Sequence, residues 1–191
     1  MIRAFIAVDL ELQVIENICR TIDDLRPLLP AIRWVSPRNF HLTLKFLGDI
    51  EETRIHEIGA VLADRICPFP RLSINAKGLG VFPSLRRPRI LWVGLAGSAI
   101  TTLATRVESV LQPLGFAAEQ RPFTPHLTIG RWRQLDRPSK TLGEELARWR
   151  KLEFGDSVVD KIILYQSVLK PEGATYQTLK VVALAGETTG A

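Results

Sequence analysis

His41-Leu42-Thr43-Leu44 and His126-Leu127-Thr128-Ile129 are two copies of one pattern, His-x-Thr-apolar, lying 85 positions apart. The chain holds three histidines, and two of them stand in these copies. Residues i and i+2 of a strand share a face. Each His therefore shares a face with its Thr, while Leu42, Leu44, Leu127 and Ile129 point the other way. A strand with one polar His/Thr face and one apolar back suits the wall of a wet cleft.

Outward from these strands the chain repeats itself. A strand-like run, Ala4-Phe5-Ile6-Ala7-Val8, precedes a helical stretch from about Leu12 to Leu28, with Val14, Ile15, Ile18, Ile22 and Leu25 near helical spacing. Pro27 and Pro30 help to end it. A short strand Ile32 to Val35 and the turn Ser36-Pro37-Arg38-Asn39 lead to the first His strand. That strand is expected from Phe40 to Leu47, stopping at Gly48-Asp49, with a helix from Glu52 to Cys67 after it. The second half reads alike: a strand Ile90 to Leu95, a helix Ala99 to Leu111, the second His strand, and a helix near Thr141 to Trp149. Phe5 to His41 spans 36 residues and Leu91 to His126 spans 35, a spacing that predicts a pseudo-two-fold arrangement with one His from each half. Further strands are expected at Leu72 to Ala76, Val158 to Val168 and Thr175 to Ala183, the tail turning around Pro171-Glu172-Gly173. Gly78-Leu79-Gly80 and Pro83 to Pro88 read as a loop between halves. The fold class is α+β with largely antiparallel sheets, and residues 1–191 form a single domain of two repeated lobes.

Composition narrows the class. A hydrophobic fraction of 46% and a charged fraction of 24% are those of a globular protein, and a net charge of +5 favours an anionic partner. Cys19 and Cys67 have no metal-like spacing and are expected to be reduced and partly buried. The N-terminal apolar run, broken by Arg3 and Asp9, is too short for a membrane span or a signal peptide, so a cytoplasmic protein is expected.

The residue types select the chemistry. Imidazole exchanges protons near neutral pH, so two of them supply one acid and one base. Metal ligation lacks ligands: there is no His-x-His, no Cys cluster and no carboxylate on either His strand. A Ser-His-Asp hydrolase lacks its Gly-x-Ser-x-Gly elbow. Two facing imidazoles suit in-line displacement at phosphorus. One takes a proton from water and the other gives one to the leaving oxygen, while the Thr43 and Thr128 hydroxyls hydrogen-bond the non-bridging oxygens.

The sequence resembles the two-histidine (2H) phosphoesterases, specifically the bacterial and archaeal RNA 2′,3′-cyclic phosphodiesterases once called 2′-5′ RNA ligases. The resemblance covers nearly the whole chain. It is carried by Arg3 to Val8, Ile32 to Val35, Asn39 to Gly48, Gly78 to Pro83, Pro88 to Gly94 and Arg121 to Arg131. It implies two lobes, each an antiparallel-rich sheet with helices outside, the sheets lining a central cleft. It further implies hydrolysis of an RNA 2′,3′-cyclic phosphate end to a 2′-phosphate without metal or other cofactor. His41 would be the proton donor and His126 the acceptor. Gly130 stands where Ala is commoner in the family, a departure expected to be tolerated.

Phe46 and Arg131 each lie five residues beyond their His. Arg131 is suited to hold the terminal phosphate and Phe46 to stack on the terminal base. Their strand parity is opposite to that of the histidines, so they reach the cleft only if the strands end or bulge. Arg86, Arg87 and Arg89, with Arg131, Arg133 and Arg137, form a candidate basic rim. Lys45 should point away from His41, and His56 reads as a surface residue of its helix. Trp34, Trp92, Trp132 and Trp149 read as core or boundary, with Trp132 the one nearest the cleft mouth. Expected partners are RNA with a 2′,3′-cyclic phosphate end or nucleoside 2′,3′-cyclic phosphates, with no membrane, bound by a monomer. Other readings of the same motifs are reversible 2′-5′ RNA ligation, a small cyclic-nucleotide phosphodiesterase, and an RNA-end-binding module without turnover.

Overall fold

The computed structural model describes residues 1–132, 140–170 and 173–185. Among these residues the chain forms β1 (Ile2–Val8), α1 (Leu12–Leu25), β2 (Ile32–Trp34), β3 (Leu42–Ile50), α2 (Arg54–Ile66), β4 (Leu72–Phe82), β5 (Ile90–Ala96), α3 (Ser98–Leu111), β6 (His126–Trp132), α4 (Lys140–Trp149), β7 (Glu153–Val159), β8 (Lys161–Lys170) and β9 (Gly173–Ala183). The strands make two antiparallel sheets, ordered β3-β1-β8-β9 and β2-β6-β5-β4-β7. This is the α+β architecture expected from the sequence. No helix of the described residues is long and apolar enough to cross a membrane.

The two sheets are alike once β2 is set aside. The pair β1–β3 in one corresponds to β5–β6 in the other, each pairing an opening strand with a His strand. The correspondence breaks with chain order in the next strand. β4 follows the first half, yet it pairs with β5; β8 follows the second half, yet it pairs with β1. Each sheet therefore takes strands from both halves of the sequence, and neither sheet can form from one half alone. β2 adds to the exchange, since it follows α1 and pairs with β6. One continuous apolar core runs through the whole, from Ile6 and Leu42 in the first sheet to Leu91, Leu127 and Ile129 in the second. Val14, Ile18, Ile22 and Leu25 form the buried stripe of α1, and α1 packs on β7. At about 1.5–3 kcal/mol per fully buried aliphatic side chain, such a stripe outweighs the weak local preference of the segment for helix.

Several expected boundaries shift, each for a visible reason. α1 stops at Leu25 rather than Leu28, with Pro27 just beyond its C-cap Arg26. β3 starts at Leu42 and passes through Gly48 to Ile50, because Gly48 takes φ 73° beside an extra residue, Leu47, that has no partner on β1. β4 does not end at Ala76 but absorbs the glycines expected in a loop: Gly78, at φ 71°, is itself the extra residue opposite β5. The strand expected from Val158 to Val168 is two strands that break at Asp160 and belong to different sheets. Pro171 and Glu172 of the expected turn lie outside the described residues. Cys19 and Cys67 are unbonded and half-buried.

Candidate active site

His41 precedes β3 directly and His126 opens β6, and β3 and β6 approach one another between the sheets. A short 3-10 turn, Pro37–Asn39, delivers the chain to His41. The buried ring of Phe40 anchors that turn, and the Asn39 side-chain amide donates to the Ala174 carbonyl on β9 at 2.7 Å.

The two imidazoles are held by the same device. His41 Nδ1 lies 2.8 Å from the Asn39 carbonyl oxygen, and His126 Nδ1 lies 2.7 Å from the Thr124 carbonyl oxygen. A carbonyl only accepts, so Nδ1 carries the proton in both rings and Nε2 is the atom left to exchange one. The acceptor lies two residues before the His in each case, which makes the arrangement a local property of the motif. Nε2 of His41 stands 3.1 Å from the Thr43 hydroxyl, as the i, i+2 spacing requires. Thr128 holds the corresponding place beside His126, and both threonines are half-buried.

Aromatic rings wall each site. Phe5 from β1 lies 4.9 Å from His41, Tyr176 from β9 meets it edge-on at 5.0 Å and 89°, and Tyr165 from β8 stands at 6.5 Å. Phe82 from β4 meets His126 edge-on at 5.0 Å and 90°, with Trp92 from β5 at 6.4 Å. The Trp92 ring lies over strand backbone that has no room for a side chain: a Cβ on Gly80 would fall 2.2 Å from it. Its Nε1 is the single buried side-chain nitrogen or oxygen without a hydrogen-bond partner among the described residues.

Charge couples the two strands. Burial is the largest influence on His41 and lowers its pKa. The hydrogen bond to the Asn39 carbonyl and the Asp9 carboxylate oppose that shift, while the positive charges of Arg131 and His126 reinforce it. His41 thus feels both groups of β6. Arg131 also acts on Tyr176, whose hydroxyl pKa burial pushes up.

The bulges decide where Phe46 and Arg131 go. On β3, Thr43 pairs with Ala7 and Lys45 with Ile6, so Leu44 is extra; Leu44 and Lys45 are both buried and Phe46 emerges 68% exposed. On β6, Thr128 pairs with Trp92 and Gly130 with Leu91, so Ile129 is extra; Ile129 and Gly130 are both buried and Arg131 emerges exposed. Each bulge reverses the strand parity and returns the residue five beyond the His to the open face that carries the Thr. Phe46 stands 6.1 Å from the Phe5 ring. Gly130 is fitted to its place, since a Cβ there would meet Ile32 Cγ2 at 2.5 Å.

The remaining candidates separate cleanly. Lys45 is buried, with Nζ donating to Glu108 at 2.6 Å and to the Ala117 carbonyl at 2.9 Å, on the face away from His41. His56 is exposed on α2, apart from the site. Arg86, Arg87 and Arg89 are exposed between β4 and β5, whereas Arg133 and Arg137 lie outside the described residues. Among the tryptophans it is Trp92, not Trp132, that stands against a histidine. Sequence reasoning missed Asp9, Phe5, Phe82, Trp92, Tyr165 and Tyr176 as neighbours of the pair. One signal was present: the chain has two tyrosines in all, and both flank His41.

Two sheets of matched topology each present one His-x-Thr strand to the gap between them, the arrangement expected of a two-histidine phosphoesterase. A family model described as LigT-like phosphoesterase matches the chain twice, over residues 8–92 and 93–176, and the chain belongs to that family. It is 40% identical over 160 residues to an RNA 2′,3′-cyclic phosphodiesterase of Aquifex aeolicus, covering 81% of this chain and 82% of that one. Among solved structures it is similar to TT0787 of Thermus thermophilus, with a TM-score of 0.83, 26% identity and 97% and 99% of the two chains covered. It is also similar to E. coli LigT complexed with 3′-AMP, with a TM-score of 0.74, 25% identity and 96% and 98% covered.

Proposed function

We propose that this protein hydrolyses RNA 2′,3′-cyclic phosphate ends to 2′-phosphates by metal-independent acid–base catalysis between His41 and His126. The observation that carries this reading is the matched pair of imidazoles, each with Nδ1 tied to a backbone carbonyl and Nε2 left for proton exchange. The names of the relatives and the nucleotide in the E. coli LigT complex support the substrate class.

In the proposed reaction His126 Nε2 takes a proton from water, whose oxygen attacks phosphorus. The bond from phosphorus to O3′ breaks, and His41 Nε2 gives its proton to that oxygen. The products are a 2′-phosphate and a free 3′-hydroxyl. Thr43 and Thr128 donate to the non-bridging oxygens, where charge gathers in the transition state. Arg131 adds its positive charge to theirs. Among the described residues no group of three or more His, Cys, Asp or Glu is placed to hold a metal ion. Phe46, on the open face, stacks on the terminal base.

The test is phosphorus NMR of a nucleoside 2′,3′-cyclic phosphate incubated with the protein and excess chelator, beside a His41→Ala control. A 2′-phosphate that needs His41 is the expected product. A 3′-phosphate, or turnover that the chelator abolishes, would overturn the mechanism. Absence of turnover here and on an RNA oligonucleotide with a cyclic end would overturn the hydrolase reading.

A further inference from the structure

The two histidines occupy equivalent strand positions, so a difference between their neighbours is informative. Val8 pairs with Leu42, and one step further along both chains brings Asp9 level with His41. In the other sheet Gly94 pairs with His126. A carboxylate on one side is thus matched by a glycine on the other. No side chain fits there, because a Cβ on Gly94 would lie 2.7 Å from the Lys77 carbonyl oxygen.

Asp9 is held in place. The Tyr165 hydroxyl donates to both of its carboxylate oxygens, at 3.0 and 3.1 Å, and the Tyr165 ring packs against Phe5 at 5.4 Å, itself in contact with His41. Other charged groups share the shallow depression around Asp9, namely Glu11, Asp160 and Lys161. Glu11 accepts from the Val158 amide and Lys161 pairs with Asp160, so both are engaged outside the His41 site. The groups that face His41 are Asp9 from the end of β1, Tyr165 and Tyr176 from β8 and β9, and Arg131 and His126 from β6. Burial keeps both tyrosine hydroxyls protonated. Among the described residues Asp9 is the one negative charge acting on His41, against two positive ones.

We propose that Asp9, oriented by Tyr165, is a positioning residue that favours the imidazolium form of His41 and so assigns His41 the role of proton donor. The proposal rests on the two-histidine hydrolase reading above. Asp9 does not handle the transferred proton, because Nδ1 of His41 is engaged by Asn39 and Nε2 faces Thr43. It acts through its charge, opposing the burial that favours neutral imidazole. The matching position opposite His126 is Gly94, which carries no charge.

The test compares the wild-type protein with Asp9→Asn and Tyr165→Phe by two readouts: NMR titration of the His41 ring in the free protein, and kcat/KM for a nucleoside 2′,3′-cyclic phosphate against pH. In Asp9→Asn, His41 should stay neutral to lower pH. kcat/KM should fall about three- to tenfold at neutral and alkaline pH and converge on wild type at acid pH, where His41 is protonated in both. Tyr165→Phe should move both readouts in the same direction by less. A folded Asp9→Asn protein with an unmoved His41 titration, or with a loss uniform in pH, overturns the proposal. If Asp9→Asn fails to fold, Asp9→Ser and Tyr165→Phe decide it by the same criteria. If the wild type turns over no cyclic phosphate, the hydrolase reading fails, and with it the donor role.

Discussion

His41 and His126 are fixed by one backbone recipe and surrounded by two different environments. Each donates Nδ1–H to the carbonyl two residues earlier, each shares a face with a Thr, and each strand bulges after that Thr. His41 is walled by three rings, Phe5, Tyr165 and Tyr176, and backed by Asp9. His126 is walled by Phe82 and Trp92 and sits across from Gly94. The edge-on ring comes in both cases from a strand lent by the other half of the sequence: β9 brings Tyr176 to the first His, and β4 brings Phe82 to the second. The repeat thus supplies two imidazoles held alike, and the strands around them, exchanged ones included, give them unequal surroundings.

The largest test of this comparison is to delete each His in turn. His41→Ala and His126→Ala should each lower kcat by about two to four orders of magnitude, with 2′-phosphate product binding retained by calorimetry. The leaving group then separates the roles. With a nitrophenyl phosphodiester, whose leaving oxygen needs no proton, the deficit of His41→Ala should shrink at least about tenfold, while that of His126→Ala should persist. Equal rescue of both variants would break the division into donor and acceptor.

The threonines come next. Thr43→Val and Thr128→Val remove one donor each from the proposed phosphoryl site without changing side-chain size. Each should lower kcat about ten- to a hundredfold with little change in KM, as expected when a hydrogen bond strengthens in the transition state. A loss confined to KM would place the hydroxyls in ground-state binding instead.

How far all this could be read from sequence depends on the range of the interaction concerned. The His-x-Thr strands, the opening strands and the amphipathic helices follow from local period, and α1 and α3 lie within a few residues of where their apolar spacing puts them. The strand exchange does not follow, because no local pattern tells β4 to pair with β5 rather than with its own half. Nor do the bulges, which show only in the register and in two successive buried residues, Ile129 and Gly130, that break the alternation of a regular strand. The segment Val158 to Val168 looked like one strand because Asp160-Lys161 is only a short polar break between apolar residues, and only the sheets show that the chain changes partner there. The aromatic walls were invisible for the same reason. Phe5 and His41 are 36 residues apart, and Tyr176 lies further still.

The two bulged residues give a smaller and sharper contrast. Phe46 and Arg131 hold equivalent places, yet one offers a π-face and the other a charge. Phe46→Ala should raise KM about tenfold for an RNA end and leave kcat nearly unchanged, since stacking is equal in ground and transition states. Arg131→Gln should lower kcat as well, because its charge meets the phosphoryl group as that group changes. Identical KM-only effects would remove Arg131 from the transition state.

The smallest expected effect concerns stability and is read at His41. The pKa of His41 is lowered in the folded protein, chiefly by burial. In the window between its folded value and the unfolded value near 6.5 the unfolded chain binds more protons than the native one, so stability rises with pH there. The stability associated with neutral His41 is fully present above the unfolded pKa and is lost as pH falls through the folded one. Melting curves between pH 8 and pH 5 should therefore decline on acidification in the wild type and decline less in His41→Gln, which cannot charge. Asp9→Asn should steepen the wild-type decline, because it removes the carboxylate that tolerates the imidazolium. A wild-type curve no steeper than that of His41→Gln would mean that burial does not disfavour the charged ring, and the contrast between the two histidines would then rest on their aromatic walls and on Asp9 against Gly94.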